Sequence, residues 1–491
     1  MIFPIQHPHE DESNRLRLLT GQIEPRSLRT FTPSQAVLAH SAGIYHWTPE
    51  GRKLYDFSSG VLVANLGHNP IRWTQRFTHY MGWPKLTLPD SGLSLNGQHK
   101  IGTPSSEIPA GFFSAVTMTA YNGITPIEVL ASQRLLEEVR RHPGGGRLEQ
   151  VMWAASGSEA IQKALWAAMA RDRNRPMILA TRFGFHGKKG LAGAVTGSES
   201  DHERDPRVKF TRFPMKECLD LDQRDTPFST DEYETELEAI WKESHGKIGT
   251  LITEPYLGGG GSFHPPKAYL QLLQAFCREH DIIFILDEVQ SNFGRTGNMF
   301  AYETYGLEPD MVVLGKGLGN GVPVAAVVGR SDIFSALDYG EASDTWSANP
   351  LCCAAVLATL DEFKESKVLE SSRKVSATIE ESLMELKQFP FVDHVRGEKG
   401  GMVWGVEMKD FAGRSASQWA NDFVLACYRG EGEGQPGVHL LGALAKKVIR
   451  ISPPLVITEK EAEEALGLIH RCLQNLLESQ KRPSPALSGV G

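Results

Sequence analysis

The sequence has few cysteines, no excess of basic residues and no long hydrophobic run. Its six cysteines form no CxxC pair and accompany no histidine-rich motif, which indicates reduced thiols and no metal site. The net charge of −8 disfavours a nucleic-acid partner or an anionic membrane. Apolar runs such as 282–286 fall far short of the ~20 residues of a membrane span, and no signal peptide is evident. We therefore expect a cytoplasmic protein.

Short apolar runs alternate with amphipathic segments through the middle of the chain. Strands are predicted at 151–155, 177–181, 250–254, 282–287, 311–315 and 324–329, and helices at 126–141, 159–172 and 267–279. Nearly continuous apolar strands separated by helices are typical of a mainly parallel sheet covered on both faces. The sequence thus predicts an α/β fold, a large domain whose sheet is sandwiched by helices, followed by a smaller α+β domain.

Changes in composition divide the chain into five predicted segments. These are an N-terminal arm (1–44), the N-terminal part of the small domain (45–80), the large domain (81–350), the C-terminal small domain (351–480) and a disordered tail (481–491). The arm is polar and proline-punctuated, and we expect it to lie on a larger body, such as a second subunit. Residues 81–113 are rich in Gly, Pro and Ser and predict a long loop that could shape a pocket.

Polar residues follow three of the apolar runs, where ligands bind in open α/β sheets. Residues 156–159 (SGSE) open a helix and suit a phosphate, although the same residues would also make an ordinary N-cap. Asp287 ends a buried run, which requires a cation or donors, or else a structural salt bridge. Lys316 follows another run amid glycines, as an imine-forming amine or as a solvated loop lysine.

Together, a phosphate-ready helix start, a buried carboxylate and a strand-end lysine are the three features that pyridoxal 5′-phosphate requires. The carboxylate would keep the pyridine nitrogen protonated, and the lysine would hold the cofactor covalently. Neither a GxGxxG fingerprint nor a GxxxxGK[ST] loop is present, so a dinucleotide or P-loop site is not indicated.

From about Tyr45 to Leu468 the chain resembles the class III pyridoxal-phosphate aminotransferases of fold type I, the family that includes ω- and 4-aminobutyrate aminotransferases. The motifs that carry the resemblance occur in the family order: LYDFSSGVLVANLGHNP, SGSEAIQKAL, GFHG, TEP, LDEVQSNFGRTG, LGKGLGNGVP, TWSANP and VIRISPPL. The resemblance implies an enzyme of fold type I with pyridoxal 5′-phosphate as its cofactor.

For the catalytic centre, the resemblance implies a role for each matching residue. Lys316 is then the Schiff-base lysine and the base that moves the proton at the substrate Cα. Asp287 is the partner of the pyridinium nitrogen. Val289 and Phe185 cover the two faces of the ring, and Gln290 hydrogen-bonds its 3′-oxygen.

The resemblance also implies which residues hold the cofactor's phosphate. Gly157 and Ser158 bind it from the same chain, and Thr345 reaches the phosphate of a neighbouring subunit, which implies a homodimer with shared active sites. Glu254 supports the cofactor. For His186, a direct role and a satisfied core histidine stay equally open.

Arg450 follows an apolar run and can bind a carboxylate through two parallel hydrogen bonds, although an internal ion pair would also explain it. In many relatives that take amino groups from the far end of a substrate, an acidic residue after the EP motif masks this arginine. Here the region around Gly259 contains no acid. We therefore expect Arg450 to bind an α-carboxylate.

The predicted activity is ping-pong transfer of an amino group, through a Lys316 aldimine, from an amino acid or amine donor to a 2-oxo acid. The same residues would also serve a decarboxylating aminotransferase, an epimerase or an aminomutase. A non-catalytic cofactor-binding protein is a more distant alternative.

Overall fold

The structure is a computed structural model that describes residues 5–23, 31–83, 86–87, 94–95, 114–120, 123–197 and 205–481. Most of the loop predicted over 81–113, and all but the first residue of the tail predicted over 481–491, lie outside the described residues.

The strands, in chain order, are β1 (His40–Ala42), β2 (Tyr45–Trp47), β3 (Lys53–Asp56), β4 (Leu86–Thr87), β5 (Ser94–Leu95), β6 (Gln150–Ala154), β7 (Met177–Thr181), β8 (Val208–Thr211), β9 (Ile248–Thr253), β10 (Ile283–Asp287), β11 (Met311–Leu314), β12 (Ala325–Gly329), β13 (Val392–Gly397), β14 (Trp404–Met408), β15 (Gly437–His439) and β16 (Val448–Ile451).

The helices are α1 (Asp11–Ile23), α2 (Ser59–Leu62), α3 (Ile71–Tyr80), α4 (Pro126–Arg141), α5 (Gly157–Arg171), α6 (Gly190–Ala194), α7 (Asp231–Glu243), α8 (Lys267–Glu279), α9 (Ala301–Tyr305), α10 (Ser331–Phe334), α11 (Pro350–Glu365), α12 (Val368–Glu385), α13 (Ala416–Arg429) and α14 (Glu459–Lys481). Short 3₁₀ turns lie at Lys216–Cys218, Leu221–Gln223, Lys316–Leu318 and Leu386–Gln388. Among the described residues, no helix is both long enough and apolar enough to span a bilayer.

The large sheet has seven strands in the order β6-β12-β11-β10-β9-β7-β8. β12 is antiparallel to both of its neighbours, and the remaining neighbouring pairs are parallel. The predicted α/β fold with a mainly parallel sheet is therefore confirmed. Because β9, β10 and β11 are adjacent and parallel, their carboxyl ends meet at one edge of the sheet, where the candidate site lies.

Both faces of this sheet are buried. In β10, Phe284 and Leu286 belong to one hydrophobic cluster, whereas Ile283 and Ile285 belong to the other. Successive side chains point to opposite faces of a strand, so this division means that helices cover the sheet from both sides. A strand buried on both faces must be apolar at every position, which is why the sequence pattern was continuous.

Two smaller sheets lie outside the large one, and the first of them joins the N-terminal and C-terminal parts of the chain. One has the order β1-β2-β3-β15, with β15 parallel to β3, and the other is the antiparallel set β13-β14-β16. The segment 45–80 thus pairs with residues from beyond 430. The domain boundaries inferred from sequence stay predictions.

The described part of the N-terminal arm packs against its own chain. The buried Glu10 carboxylate accepts hydrogen bonds at 2.6 Å from Arg17 and from Arg52. The Tyr428 hydroxyl donates to the same carboxylate at 3.0 Å. A buried carboxylate is stable only with partners of this kind, so the network fixes the start of α1 on the C-terminal part of the chain.

Candidate active site

A cavity of about 1040 Å³ opens at the carboxyl edge of the large sheet. Eight of the ten residues to which the sequence analysis assigns a cofactor or substrate role line it, and so does His186. The eight are Gly157, Ser158, Phe185, Glu254, Asp287, Val289, Gln290 and Lys316. Their place in the fold explains the convergence, because each ends a strand of the sheet or lies in the segment that follows one. Arg450 and Thr345 are not among the lining residues.

Lys316 lies two residues beyond the end of β11, and its backbone is in the left-handed region with φ 46°. Burial first, and then the charge of Arg450, lower the pKa of its ammonium to about 8, while Asp287 and Glu254 oppose the shift. Its Nζ makes no hydrogen bond to any described group. The amine is therefore free and is neutral in an appreciable fraction near pH 7.

Asp287 is the last residue of β10 and is 4% exposed. Its Oδ2 lies 2.7 Å from Nδ1 of His186, and its Oδ1 accepts a hydrogen bond from the Val289 N–H at 3.0 Å. Burial disfavours the charged imidazole, but Asp287 and Glu254 outweigh it and raise the pKa of His186. The Nε2 of His186 is buried and has no partner among the described residues.

α5 begins at the cavity wall. Ser156 is its N-cap and accepts a hydrogen bond from the Glu159 N–H at 3.3 Å. These residues therefore form the N-cap that the sequence offered as one interpretation. The N–H groups of Gly157 and Ser158 have no partner among the described residues. A helix N-terminus with free N–H groups attracts anions, so this wall could hold a phosphate.

Val289 and Phe185 supply apolar surface inside the cavity. Glu254, which is 3% exposed, accepts hydrogen bonds from the N–H groups of Phe185 at 2.9 Å and Gly258 at 3.3 Å. Burial raises the pKa of Glu254 to about 7, with the charge of His186 acting in the opposite direction. Glu254 therefore fixes the loop that carries Phe185.

Arg450, in β16, is 5% exposed and lies directly behind Gln290, with Nη1 3.3 Å from Gln290 Oε1. No carboxylate among the described residues pairs with it, which argues against the internal ion pair that the sequence left open. Its Nε is buried without a partner. Burial lowers the pKa of the guanidinium, while Tyr256 and the charge of Glu254 act in the opposite direction.

Thr345 is exposed, and hydrogen bonds from a buried lysine hold the residues on either side of it. Lys163, buried in α5, donates hydrogen bonds to Asp344 at 2.5 Å and to Ser347 at 2.6 Å. These two residues flank Thr345 and Trp346. Sequence reasoning missed Lys163, because its partner lies 181 residues away along the chain.

Further lining residues were also missed, namely Val63, Gln162, Trp166, Lys188 and Lys189. The pair Lys188-Lys189 directly follows the GFHG motif and was the one available signal in the sequence. Val63 could not have been found from the sequence, because it reaches the cavity through the left-handed turn at Ser59–Leu62.

A cavity of this kind, with a free lysine, a buried carboxylate and an open helix N-terminus at the carboxyl edge of a parallel sheet, defines a pyridoxal-phosphate type of site. Comparison with known proteins identifies the family. The profile of the family described as aminotransferase class-III matches residues 113–473.

Full-length relatives agree with this match. The acetylornithine aminotransferase of Caldanaerobacter subterraneus subsp. tengcongensis is 31% identical over 91% of this chain and 97% of its own. The 5-aminovalerate aminotransferase of Pseudomonas aeruginosa is 29% identical over 92% and 96%. An amine transaminase from an uncultivated Pseudomonas species, solved in a PLP-bound form, superposes with a TM-score of 0.73 at 24% identity, covering 97% of this chain and 99% of that one.

The chain belongs to the class III aminotransferases. It is an aminotransferase of fold type I that depends on pyridoxal 5′-phosphate. The residues present fit that cofactor. They supply an unpaired amine, a carboxylate for a ring nitrogen, apolar walls and free N–H groups for a phosphate, within one cavity.

Proposed function

We propose that the enzyme transfers an amino group from an α-amino acid, or an amine, to a 2-oxo acid by a ping-pong mechanism. The observation that carries the proposal is the amine of Lys316, which lies inside the cavity without a hydrogen-bond partner among the described residues and has a lowered pKa. A second cation, Arg450, lies directly behind the cavity-lining Gln290 and has no carboxylate partner among the described residues. One residue is thus available for chemistry and the other for substrate recognition.

The residues that would hold the cofactor are those around the cavity. Gly157 and Ser158 would donate N–H groups to its phosphate, and Asp287 would face its ring nitrogen. Val289 and Phe185 would cover the two ring faces. When bound, pyridoxal 5′-phosphate withdraws electrons from the substrate Cα and carries the amino group between the two substrates.

Lys316 would bind the cofactor covalently at rest and move the proton at the substrate Cα during turnover. A general base works best when its pKa lies near the working pH, and a lysine lowered to about 8 meets this requirement. Because Nζ makes no hydrogen bond to a described group, it can move between the position that binds the cofactor and the position that transfers the proton.

Asp287 would keep a negative charge beside the ring nitrogen. His186 supports that charge through its hydrogen bond at 2.7 Å, and the Val289 N–H supplies a second donor. The proposal thus assigns His186 a positioning role, acting through Asp287. Gln290 would bind the cofactor's 3′-oxygen on one side and Arg450 on the other.

Arg450 would bind the substrate's α-carboxylate. A buried guanidinium without an anion is costly, and a substrate carboxylate would supply the missing charge. The region that could mask it offers no acid, and a Cβ added at Gly259 would lie 3.0 Å from Phe185 Cβ, so this position is filled by the aromatic wall. Substrates with an α-carboxylate are therefore favoured over those recognised only at the far end.

We also propose that two chains form a homodimer with shared active sites, in which Thr345 reaches the phosphate held by the other subunit. Its exposure and its rigid support by Lys163 favour this role. A cytoplasmic location stays part of the proposal.

Product analysis with purified holoenzyme tests the proposed reaction. With an α-amino acid donor we expect the matching 2-oxo acid, without carbon dioxide or the inverted enantiomer. Carbon dioxide would indicate a decarboxylating enzyme, and inversion an epimerase. Arg450→Ala should raise KM for 2-oxo acids roughly 10–100-fold while changing KM for simple amines little, because a charged hydrogen bond contributes ~1.5–3 kcal/mol. Equal effects on both substrates would make Arg450 structural.

A further inference from the structure

A buried cluster of two histidines and an aspartate lies outside the active-site cavity. His46, Asp56 and His68 each offer one ligand atom, and these atoms all lie within 4.8 Å of one another. Asp56 is 0% exposed and His46 is 3% exposed. None of the three lines the cavity.

The fold brings these residues together from three separate places. In the antiparallel pair β2–β3, His46 is opposite Leu54, so Asp56, two residues further on, lies diagonally on the same face. His68 is fixed by a reciprocal pair of backbone hydrogen bonds with Gly43, at 2.8 and 2.9 Å. All three side chains therefore start from a rigid framework.

The aspartate divides its two oxygens between two tasks. Oδ1 accepts hydrogen bonds from the Ser58 N–H, the Ser58 hydroxyl and the Ser59 N–H at 2.7–3.1 Å. Oδ2 faces the histidines, with His68 Nε2 at 2.7 Å and His46 Nε2 at 3.6 Å. No lysine or arginine among the described residues pairs with this buried carboxylate.

His46 is oriented toward this point and is left unpaired there. Its Nδ1 lies 2.7 Å from the Ser41 hydroxyl, which fixes the ring, as an outer-shell partner does for a metal-binding imidazole. Its Nε2 is buried, is beyond hydrogen-bond distance from Asp56 and has no partner among the described residues. A buried nitrogen aimed at a carboxylate without bonding to it points to a missing ligand.

We propose that His46 Nε2, Asp56 Oδ2 and His68 Nε2 bind a divalent transition-metal ion, for which Zn²⁺ is the test ion. Imidazole and carboxylate ligands suit such ions, with bonds of ~2.0–2.2 Å. These bonds place ligand atoms about 3.3 Å apart in a tetrahedron. The 3.6 Å pair is near this spacing already, and the 2.7 Å pair widens by a small rotation of His68, whose side chain is 18% exposed.

The site would stabilise the turn that leads to the active site. α2 begins three residues after Asp56 and is left-handed, with φ of 48° at Ser59, 57° at Gly60, 67° at Val61 and 60° at Leu62. Left-handed residues other than glycine are unfavourable, and Oδ1 of Asp56 caps this turn. Val63, the next residue, lines the cavity. The metal would thus bind Oδ2 of Asp56, while Oδ1 of the same carboxylate accepts the hydrogen bonds that hold the turn.

Metal analysis of the holoenzyme, with any affinity tag removed, tests the proposal. After dialysis against a chelator and addition of Zn²⁺, we expect about one zinc ion per chain and saturable binding by calorimetry. His46→Gln should weaken this binding more than about 100-fold, since loss of an outer-shell partner alone costs 10–100-fold. The exposed His79→Gln is the matched control and should bind zinc as the wild type does. Cofactor absorbance should be the same in all three proteins.

Substitution by Co²⁺ gives a readout that needs no variant. The wild type should develop the visible absorbance of a four-coordinate cobalt site, and added Zn²⁺ should remove it. Absence of saturable Zn²⁺ binding and of this absorbance, or equal binding by His46→Gln, would overturn the proposal and leave the cluster as a hydrogen-bonded Asp–His pair.

Discussion

Oδ2 of Asp287 lies 2.7 Å from Nδ1 of His186, and both side chains are almost fully buried. From the sequence, His186 was either a residue with a direct role or a core histidine with satisfied hydrogen bonds. In the structure it is buried and contacts the Asp287 carboxylate. In the proposed function, His186 would thus hold in place the carboxylate that faces the cofactor ring.

His186→Phe should therefore lower kcat by about 10–100-fold, since a hydrogen bond to a charged group contributes ~1.5–3 kcal/mol. His186→Asn, which keeps a donor near Asp287, should recover part of the loss. Steady-state kinetics and the cofactor's dissociation constant measure both effects. Unchanged kinetics in His186→Phe would remove His186 from the site.

Covalent attachment of the cofactor should depend on Lys316. Borohydride reduction of the holoenzyme followed by peptide mapping should place the cofactor on this residue, and Lys316→Ala should lose attachment and turnover. Lys267→Gln, at an exposed helix start, is the matched control and should behave as the wild type. Attachment at Lys188 or Lys189 instead would contradict the assignment.

The rate of cofactor attachment to the apoenzyme should follow the neutral fraction of Lys316. The pKa of its amine is lowered to about 8, so the rate should rise with pH below 8 and level off above it. With an ordinary lysine, the rate would still be rising at pH 9. Arg450→Met removes a repelling charge and should move the plateau to higher pH, and Arg450→Lys should not. A profile that rises unchanged to pH 10 in the wild type would contradict the lowered pKa.

Gly258 is predicted to be essential for the position of Gln290. A Cβ at this residue would lie 2.2 Å from Gln290 Oε1, so Gly258→Ala must push the amide away and break its contact with Arg450. We expect weaker cofactor binding and an altered cofactor spectrum. Gly146→Ala, whose Cβ would meet nothing within 4 Å, should show neither change. Identical spectra for the two variants would mean that Gln290 does not contact the cofactor.

Lys163→Met should release the segment that carries Thr345. Its hydrogen bonds to Asp344 and Ser347 would be lost, and Asp344 would keep a partly buried charge without a cation. The expected result is a lower Tm and several-fold weaker cofactor binding, with a smaller effect on kcat. Loss of kcat alone, at unchanged cofactor affinity, would place Lys163 in the chemistry instead.

The sequence predicted the central strands closely because burial on both faces forces a continuous apolar run. The strand predicted at 177–181 is Met177–Thr181, and that predicted at 311–315 is Met311–Leu314. β8 (Val208–Thr211) was not predicted, since its sequence, VKFT, is mixed and its two middle residues are only partly buried.

For the site, the sequence led to residues that end or follow one strand, such as Asp287 and Lys316, which the structure places in the cavity wall and whose roles stay predictions. It missed contacts between residues that are distant in the chain, such as Lys163 and Asp344. It also missed neighbours that only the pairing of two strands brings together, such as His46 and Asp56. The expectation of no metal site came from cysteine spacing and motif patterns. The proposed cluster has no such spacing and is visible only once β2 and β3 are paired.

The most direct test of the proposed reaction is a single half-reaction, with holoenzyme and a panel of α-amino acids in the absence of any acceptor. We predict one equivalent of 2-oxo acid per chain and a loss of the cofactor's visible absorbance, which an added 2-oxo acid restores. Carbon dioxide, an inverted amino acid, or an absorbance that no donor changes would contradict amino-group transfer as the activity of this site.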